Sequence, residues 1–151
     1  MKTPADSLCE FLINKSYFKI KMHPIASNHF KIISKINGVK GIFILDTGAS
    51  TTFIDLKLED KFKLITEPST IKAHGAGRDK IDTLLSKKNT LSIGGWVKNR
   101  FSIALIDLSY VNDAFKSINT PAVDGIIGAD ILKKGFAVID YEKRYLYLKH
   151  K

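Results

Sequence analysis

The stretch GIFILDTGASTTFI, residues 41–54, places an acidic residue directly after an apolar run. The run has the composition of a buried strand, and Asp46 follows it in a turn that contains Gly48. A carboxylate at the end of a buried strand needs hydrogen-bond donors, because an unpaired charge removed from water is costly. Gly48 allows backbone and hydroxyl groups, such as those of Thr47 and Ser50, to approach closely. The stretch indicates either an acid held for chemistry or an Asx-type turn, in which Asp46 only bonds backbone N–H groups two residues on.

Two further motifs favour the chemical interpretation. The segment AVDGIIGADIL, residues 122–132, has an apolar pair followed by a glycine and the start of a short helix. The segment HGAGR, residues 74–78, is a glycine-rich tip between two strand-like runs, which is what a mobile β-hairpin flap requires. The chain has a single Asp-Thr-Gly triplet, so chemistry that needs two such acids would need two chains.

Short runs rich in β-branched and aromatic residues predict a mostly β chain. They lie at about 17–22, 29–36, 39–45, 69–74, 80–86, 90–93, 96–106, 136–140 and 145–149. Asn37-Gly38 and Gly94-Gly95 are typical hairpin turns, and Tyr141 to Arg144 joins the last two runs. The final strand, 145–148, fits a dimer sheet or an ordinary edge strand equally well.

Two short helices are expected beside the strands. Thr3 as N-cap, Pro4 in the first turn and Asp6 closing a capping box predict an N-terminal helix with Leu8, Phe11 and Leu12 on one face. A second helix is expected between Ile127 and Gly135, ended by that glycine in the left-handed conformation. Cys9 and Trp96 are predicted to belong to the core, and Asp124 and Asp130 to cap turns or helix starts rather than to act as a second catalytic acid.

Together these motifs resemble the retropepsin-like aspartic peptidases, the family of retroviral proteases and their cellular and bacterial relatives. The resemblance covers roughly residues 30–140. Leu-Asp-Thr-Gly-Ala-Ser is close to the family's active-site motif, and Ile126-Ile127-Gly128 is its second marker, which by the resemblance would pass beneath the active-site loop. The resemblance implies an all-β acid-protease barrel with a β-hairpin flap. Within one compact domain, residues 1–25 would form the N-terminal helix and lead-in strand, and residues 26–151 the peptidase domain.

The resemblance also implies the site residues. Asp46 would be the catalytic acid, Thr47 would interlock with its counterpart beneath the two acids, and Gly48 would contact substrate backbone. The implied substrate-binding residues are Ala49, Ser50, Phe53, His74, Gly75, Ala76, Gly77, Ile126 and Ile127, with residues 73–78 as the flap. The apolar side chains of Phe53, Ile54 and Ile127 predict a preference for hydrophobic residues around the scissile bond.

The mechanism needs two carboxylates about 3 Å apart that share one proton, because both cannot ionise at that distance. Two-fold pairing of identical chains supplies the second acid, so a homodimeric aspartic endopeptidase acting on peptides or proteins is expected. A non-cleaving peptide-binding or assembly module on the same fold is the alternative.

Composition limits the other classes. At 151 residues the chain suits one domain, and one cysteine with four scattered histidines predicts neither a disulfide nor a metal or cofactor site. The net charge of +9 is spread along the sequence without an aromatic platform, which argues against nucleic acid as a partner. The charged residues among the first twenty leave no apolar signal region, and no run is long enough for a membrane span, so a cytoplasmic protein is expected unless an export segment has been removed.

Overall fold

The computed structural model describes the backbone of residues 4–75 and 78–151 and the side chains of residues 7–69 and 83–151. The expected N-cap, Thr3, and the flap residues Ala76 and Gly77 lie outside the described residues. In chain order the elements are α1 (Pro4–Asn14), β1 (Phe18–Lys21), β2 (His23–Pro24), β3 (Phe30–Ile36), β4 (Val39–Leu45), β5 (Phe53–Asp55), a 3₁₀ turn (Leu56–Leu58), β6 (Thr66–Gly75), β7 (Arg78–Ile93), β8 (Trp96–Ile106), α2 (Ser109–Ser117), β9 (Gly125–Ile127), α3 (Ala129–Lys134), β10 (Val138–Asp140) and β11 (Tyr145–Leu148).

Most of these strands form one large sheet in the order β2-β3-β4-β9-β5-β8-β7-β6. An additional pairing between β3 and β7, with Ile36 opposite Leu91, curls the sheet back on itself. The fold is therefore the mostly β barrel that the sequence predicts, with a few short helices.

The β3–β4 hairpin forms where the sequence predicts it. Asn37 and Gly38 have φ values of 50° and 82°, the left-handed pair that a type I′ turn requires. The turn fixes Ile36 opposite Val39, and every second residue of β3 then points into the barrel. Ile32 and Ile36 are fully buried as a result.

The core fills the barrel with aliphatic and aromatic side chains, among them Trp96, Phe43 and Phe62. Trp96 is buried as predicted, and its indole Nε1 donates a hydrogen bond to the Lys149 carbonyl at 3.0 Å. Cys9 is only partly buried. Burial, and to a lesser degree the nearby Cys9 side chain of α1, raises the pKa of the Tyr147 hydroxyl in the small sheet.

Several predictions of detail are wrong. The runs at 80–86 and 90–93 form one strand, β7, with register irregularities around Asn89. Helix α2 lies in a stretch for which no helix was expected. Of the predicted apolar face of α1, Leu12 is buried but Phe11 is 58% exposed.

The end of α3 also differs from the prediction. Gly135 has φ −90°, and the left-handed residue is Phe136, with φ 47°. Gly135 is required for a different reason, because a Cβ there would lie 2.6 Å from Leu148 Cδ2.

The second, smaller sheet has the order β1-β11-β10, with both pairings antiparallel. Strand β11 is therefore the central strand, bonded on both sides. The edge-strand role is therefore wrong, and a role in a dimer sheet stays a prediction. No helix of the described residues is long and apolar enough to cross a membrane.

Candidate active site

The site lies where strand β9 inserts between strands β4 and β5. β9 runs parallel to β4, with Leu45 opposite Ile127, and antiparallel to β5, with Phe53 opposite Ile126. The loop of residues 46–52 connects β4 to β5 and therefore has to cross the end of β9. Gly125 permits this close insertion, because a Cβ there would lie 2.3 Å from the Phe53 carbonyl oxygen.

Asp46 is the first residue of that loop. Its N–H donates to the Ile127 carbonyl at 3.0 Å, which joins the sequence motifs at 41–54 and 122–132 as predicted. Its Oδ1 accepts a hydrogen bond from the Gly48 N–H at 2.9 Å. The other oxygen, Oδ2, accepts no hydrogen bond from the described residues, and the side chain is partly exposed. The Gly48 contact is also the bond of an Asx turn, so it is common to both interpretations of the sequence.

The loop rests on the start of α3. The Ala129 N–H donates to the Ala49 carbonyl at 2.7 Å. A Cβ on Gly128 would lie 2.6 Å from that same carbonyl oxygen and 2.8 Å from the Thr51 carbonyl oxygen. The Ile-Ile-Gly element therefore supports the loop from below, and its glycine is needed because of the close approach.

Thr52 is a structural residue of the site that sequence analysis missed. Its buried hydroxyl accepts from the Gly128 N–H at 3.0 Å and donates to Asp130 Oδ1 at 2.7 Å. Asp130 Oδ1 also accepts from the Ile131 N–H at 2.8 Å, in keeping with its expected role at a helix start. The two bonds of Thr52 connect residues 76 and 78 positions apart, and no local pattern signals such a pairing.

Asp124 has a bracing role on the other side of the site. Its Oδ2 accepts from the Ile42 N–H at 2.8 Å, and Lys61 Nζ lies 3.2 Å from its Oδ1. Both flanking acids are thus engaged in holding the backbone, as expected of residues that are not catalytic.

The predicted substrate-binding residues divide into two groups. Phe53 and Ile126 are partly exposed and pack against Ile106 and Leu108, outside the main core. Ile127 and Ile54 have no exposed surface and lie in the core. The assignment of Ile127 to substrate contact is wrong, because alternation along β9 turns it inward when Ile126 faces outward.

Helix α2 adds a side chain that the sequence did not suggest. Val111 packs against the same pair, Ile106 and Leu108, that supports Phe53 and Ile126. Its signal in the sequence is weak, since the apolar face of α2 consists of little more than Val111 and Phe115 at a spacing of four.

The remaining predicted residues lie around the loop and the β6–β7 hairpin. Thr47, Gly48 and Ser50 are exposed, and Ala49 is partly buried. In the hairpin, Gly75 pairs with Arg78. The predicted contacts of Ala76 and Gly77, and of the His74 side chain, lie outside the described residues.

The sequence of the barrel and loop matches a known family. The model of the aspartyl protease family matches residues 32–131, which include Asp46 and the Ile-Ile-Gly element. The chain belongs to the aspartyl protease family. No curated protein matches the sequence.

Solved structures with the same fold include several retropepsin-like aspartyl proteases. A retropepsin-like aspartic protease from Rickettsia conorii has a TM-score of 0.55 at 18% identity, over 89% of this chain and 90% of that one. The retroviral protease-like domain of Ddi1 from Leishmania major has a TM-score of 0.53 at 17% identity, over 78% and 86%. EIAV protease, in complex with an inhibitor, has a TM-score of 0.54 at 20% identity, over 72% and 88%. These likenesses show the retropepsin-like fold.

Of the three acids in the two motifs, Asp46 makes the fewest side-chain hydrogen bonds with the described residues. Asp46 accepts one, from the Gly48 N–H, whereas Asp124 accepts from the Ile42 N–H and Lys61, and Asp130 from the Ile131 N–H and Thr52. Among the described residues, no group of three or more His, Cys, Asp or Glu side chains could hold a metal ion.

Proposed function

We propose that the chain is an aspartic endopeptidase that hydrolyses peptide bonds as a homodimer, with Asp46 of each copy forming the catalytic pair. One observation carries the proposal. Asp46 is fixed at the end of β4 by its own N–H and by Oδ1, while Oδ2 is left without a donor among the described residues. A carboxylate that only closed a turn would not need the support that this loop receives from α3.

The reaction follows from two such carboxylates sharing one proton. The ionised carboxylate takes a proton from a water molecule, and the resulting hydroxide oxygen bonds to the carbon of the substrate carbonyl. The protonated carboxyl gives its proton to the carbonyl oxygen. Collapse of the tetrahedral intermediate breaks the C–N bond, and the leaving nitrogen takes a proton from the pair. No cofactor enters these steps.

The geometry of the loop supplies the positioning that this chemistry needs. Thr47 is exposed beside Asp46 and available to meet its counterpart, and Gly48 is exposed for contact with substrate backbone. The β6–β7 hairpin would cover an extended peptide, which then adds as a strand and gains affinity from backbone hydrogen bonds. Phe53, Val111 and Ile126 would form an apolar pocket wall beside the scissile bond.

The test is cleavage of an unbiased peptide mixture by concentrated protein from pH 3 to pH 8, read by mass spectrometry. The wild-type chain should cleave with a bell-shaped pH profile, since the two acids titrate as a coupled pair. Asp46→Asn should abolish cleavage, because the amide cannot take the proton. Asp113→Asn, which changes an exposed acid on α2, is the matched control and should cleave like the wild type.

Cleavage that persists in Asp46→Asn would refute the proposal. Absence of cleavage in a wild-type protein shown to be dimeric would instead favour a non-cleaving binding module. The Asx-turn bond between Asp46 and Gly48 is the structural basis of that second candidate, because it accounts for the Asp-Thr-Gly motif without any cleavage of a peptide.

A further inference from the structure

An aromatic and basic cavity of about 350 Å³ lies where the start of β8 meets the end of α3 and the chain that follows β11. We call it the β8–α3 cavity. Its lining consists of three aromatic rings and three lysines, namely Trp96, Lys98, Lys134, Phe136, His150 and Lys151. None of these six residues is acidic. The volume is at the lower end of the range for small-molecule sites, about 300–1,000 Å³.

The exposed ring of His150 is held in place by several neighbours. It stacks on the buried Trp96 indole, with 5.8 Å between the ring centroids and 10° between the ring planes. The Phe18 ring lies against it in a T-shaped arrangement, at 5.7 Å and 79°. The Trp96 Nε1 bond to the Lys149 carbonyl fixes the backbone just before it. An exposed side chain ordinarily keeps several rotamers, whereas this ring is ordered in advance, which lowers the entropic cost of stacking a ligand on it.

The lysines give the cavity a positive charge. Neither Lys98 nor Lys134 forms an ion pair within the part of the chain that the structure describes. Lys98 lies two residues after Trp96 on β8 and therefore on the same face of the strand. Lys134 ends α3, and its Nζ lies 5.2 Å from the centroid of the Phe101 ring, so its stem covers the core while the ammonium group stays at the surface. Ammonium groups placed in this way bind phosphate oxygens.

The residues of the cavity lie far apart in the sequence and meet only in the fold. Positions 96–98, 134–136 and 150–151 supply the lining, so the scattered charge and the aromatic rings show no association in the sequence itself. The cavity is also separate from the active-site loop. The loop rests on the start of α3, at Ala129, whereas the cavity lies at its end, at Lys134. The two ends are roughly 8 Å apart along the helix axis.

We propose that the β8–α3 cavity binds a nucleoside phosphate, either free or as one unit of a single-stranded nucleic acid. The base stacks on the exposed rings of His150 and Phe136, and the phosphate is held by Lys98 and Lys134. Aromatic rings beside a positively charged groove are how proteins bind single strands without reading their sequence. An acidic peptide fits less well, because carboxylate side chains have no planar ring to stack on His150.

The measurement is the fluorescence anisotropy of a labelled single strand of mixed sequence, about ten nucleotides long, titrated with the full chain. The wild type should bind the strand with an affinity that falls as salt is raised, because phosphate contacts release counterions. AMP should compete better than inorganic phosphate, and polyglutamate should compete weakly. Displacement by micromolar AMP assigns the cavity to free nucleotides, and displacement only at much higher AMP concentration assigns it to single strands.

Substitutions in the cavity separate the stacking contribution from the charge contribution. His150→Leu should raise Kd by about fivefold or more, because it removes the stacking of one base. His150→Phe keeps a ring and should retain most of the affinity. Lys134→Gln should raise Kd and reduce the slope of log affinity against log salt by about 0.7, the value for one single-strand phosphate contact.

The matched control is Lys133→Gln. It removes the same charge from the neighbouring exposed lysine, which does not line the cavity, and should keep the wild-type slope. Urea unfolding follows the fold of each variant. Binding does not involve Asp46, so Asp46→Asn should bind like the wild type, and this proposal and the proposed peptidase activity fail separately.

A wild type that binds no strand at any salt concentration would overturn the proposal. Equal losses in Lys133→Gln and Lys134→Gln with none in His150→Leu would also overturn it, since that pattern reports only the diffuse net charge of +9. Competition by polyglutamate as strong as that of an unlabelled strand would assign the lysines to acidic peptides instead.

Discussion

Replacing Gly128 with alanine tests how firmly the active-site loop is held. The new Cβ would lie 2.6 Å from the Ala49 carbonyl oxygen and 2.8 Å from that of Thr51, whereas ordinary contact begins at 3.4 Å. Both partners are backbone atoms, so the loop has to withdraw by about 0.6 to 0.8 Å. That movement lengthens the bond from the Ala129 N–H to the Ala49 carbonyl, which is 2.7 Å in the native loop.

The expected cost can be given for stability and for turnover. Overpacking of this kind destabilises a protein by about 1–3 kcal/mol. A displacement approaching 1 Å at a catalytic group reduces turnover by up to about a hundredfold. We therefore expect Gly128→Ala to lower the free energy of unfolding by about 1–3 kcal/mol and kcat by about ten- to hundredfold.

The assay compares urea unfolding with peptide cleavage under conditions in which the variant is folded and dimeric. Gly95→Ala is the matched control, because its Cβ would meet only the partly exposed Phe18 ring, at 2.5 Å, and that ring can turn aside. The control should keep wild-type kcat. If Gly128→Ala kept both the stability and the kcat of the wild type, the loop would not be braced by the start of α3, and the reasoning would be wrong.

Three further predictions concern other contacts. Thr52→Val should lower the free energy of unfolding by about 1–3 kcal/mol, because it leaves the Gly128 N–H and Asp130 Oδ1 without their shared buried partner. Thr52→Ser keeps the hydroxyl and should retain most of the wild-type free energy of unfolding, measured by urea unfolding. Val111→Ala should shift the peptide-library cleavage profile toward larger apolar side chains, and an unchanged profile would remove α2 from the pocket wall. Burial raises the pKa of the Tyr147 hydroxyl, so as pH rises the unfolded chain loses this proton before the folded chain does. The contribution of this group to the free energy of unfolding is therefore complete below about pH 10 and falls as pH rises further. Tyr147→Phe should reduce that fall, measured by urea unfolding at alkaline pH.

The features that were predicted correctly from the sequence are mainly local ones. The Asn37-Gly38 turn determines the β3–β4 hairpin because two left-handed residues leave the chain few alternatives. The contact between the loop at Asp46 and Ile127 was also expected, but through family resemblance and not through pattern.

What sequence analysis missed depends on distant partners. Strand β9 has three residues, and the residues of β4 and β5 that pair with it lie about 82 and about 72 positions earlier, so no periodicity signals it. With both Ile126 and Ile127 apolar, nothing in the sequence tells which one faces inward. Gly135 matches the pattern of a helix-ending glycine, yet the residue with positive φ is Phe136, one position later. Glycine suits position 135 because a Cβ there would come too close to the Leu148 side chain.

The insertion of β9 between β4 and β5 also determines when a newly made chain acquires its site. Asp46 is synthesised early, but the residues that pin its loop, Ile127 to Asp130, emerge more than 80 positions later. Contacts of such long sequence separation form slowly, because their loop has to close before they contribute any free energy. A nascent or truncated chain that stops before residue 125 therefore carries the Asp-Thr-Gly motif without the residues that hold its loop in place, and the loop gains this support only with the last fifth of the sequence.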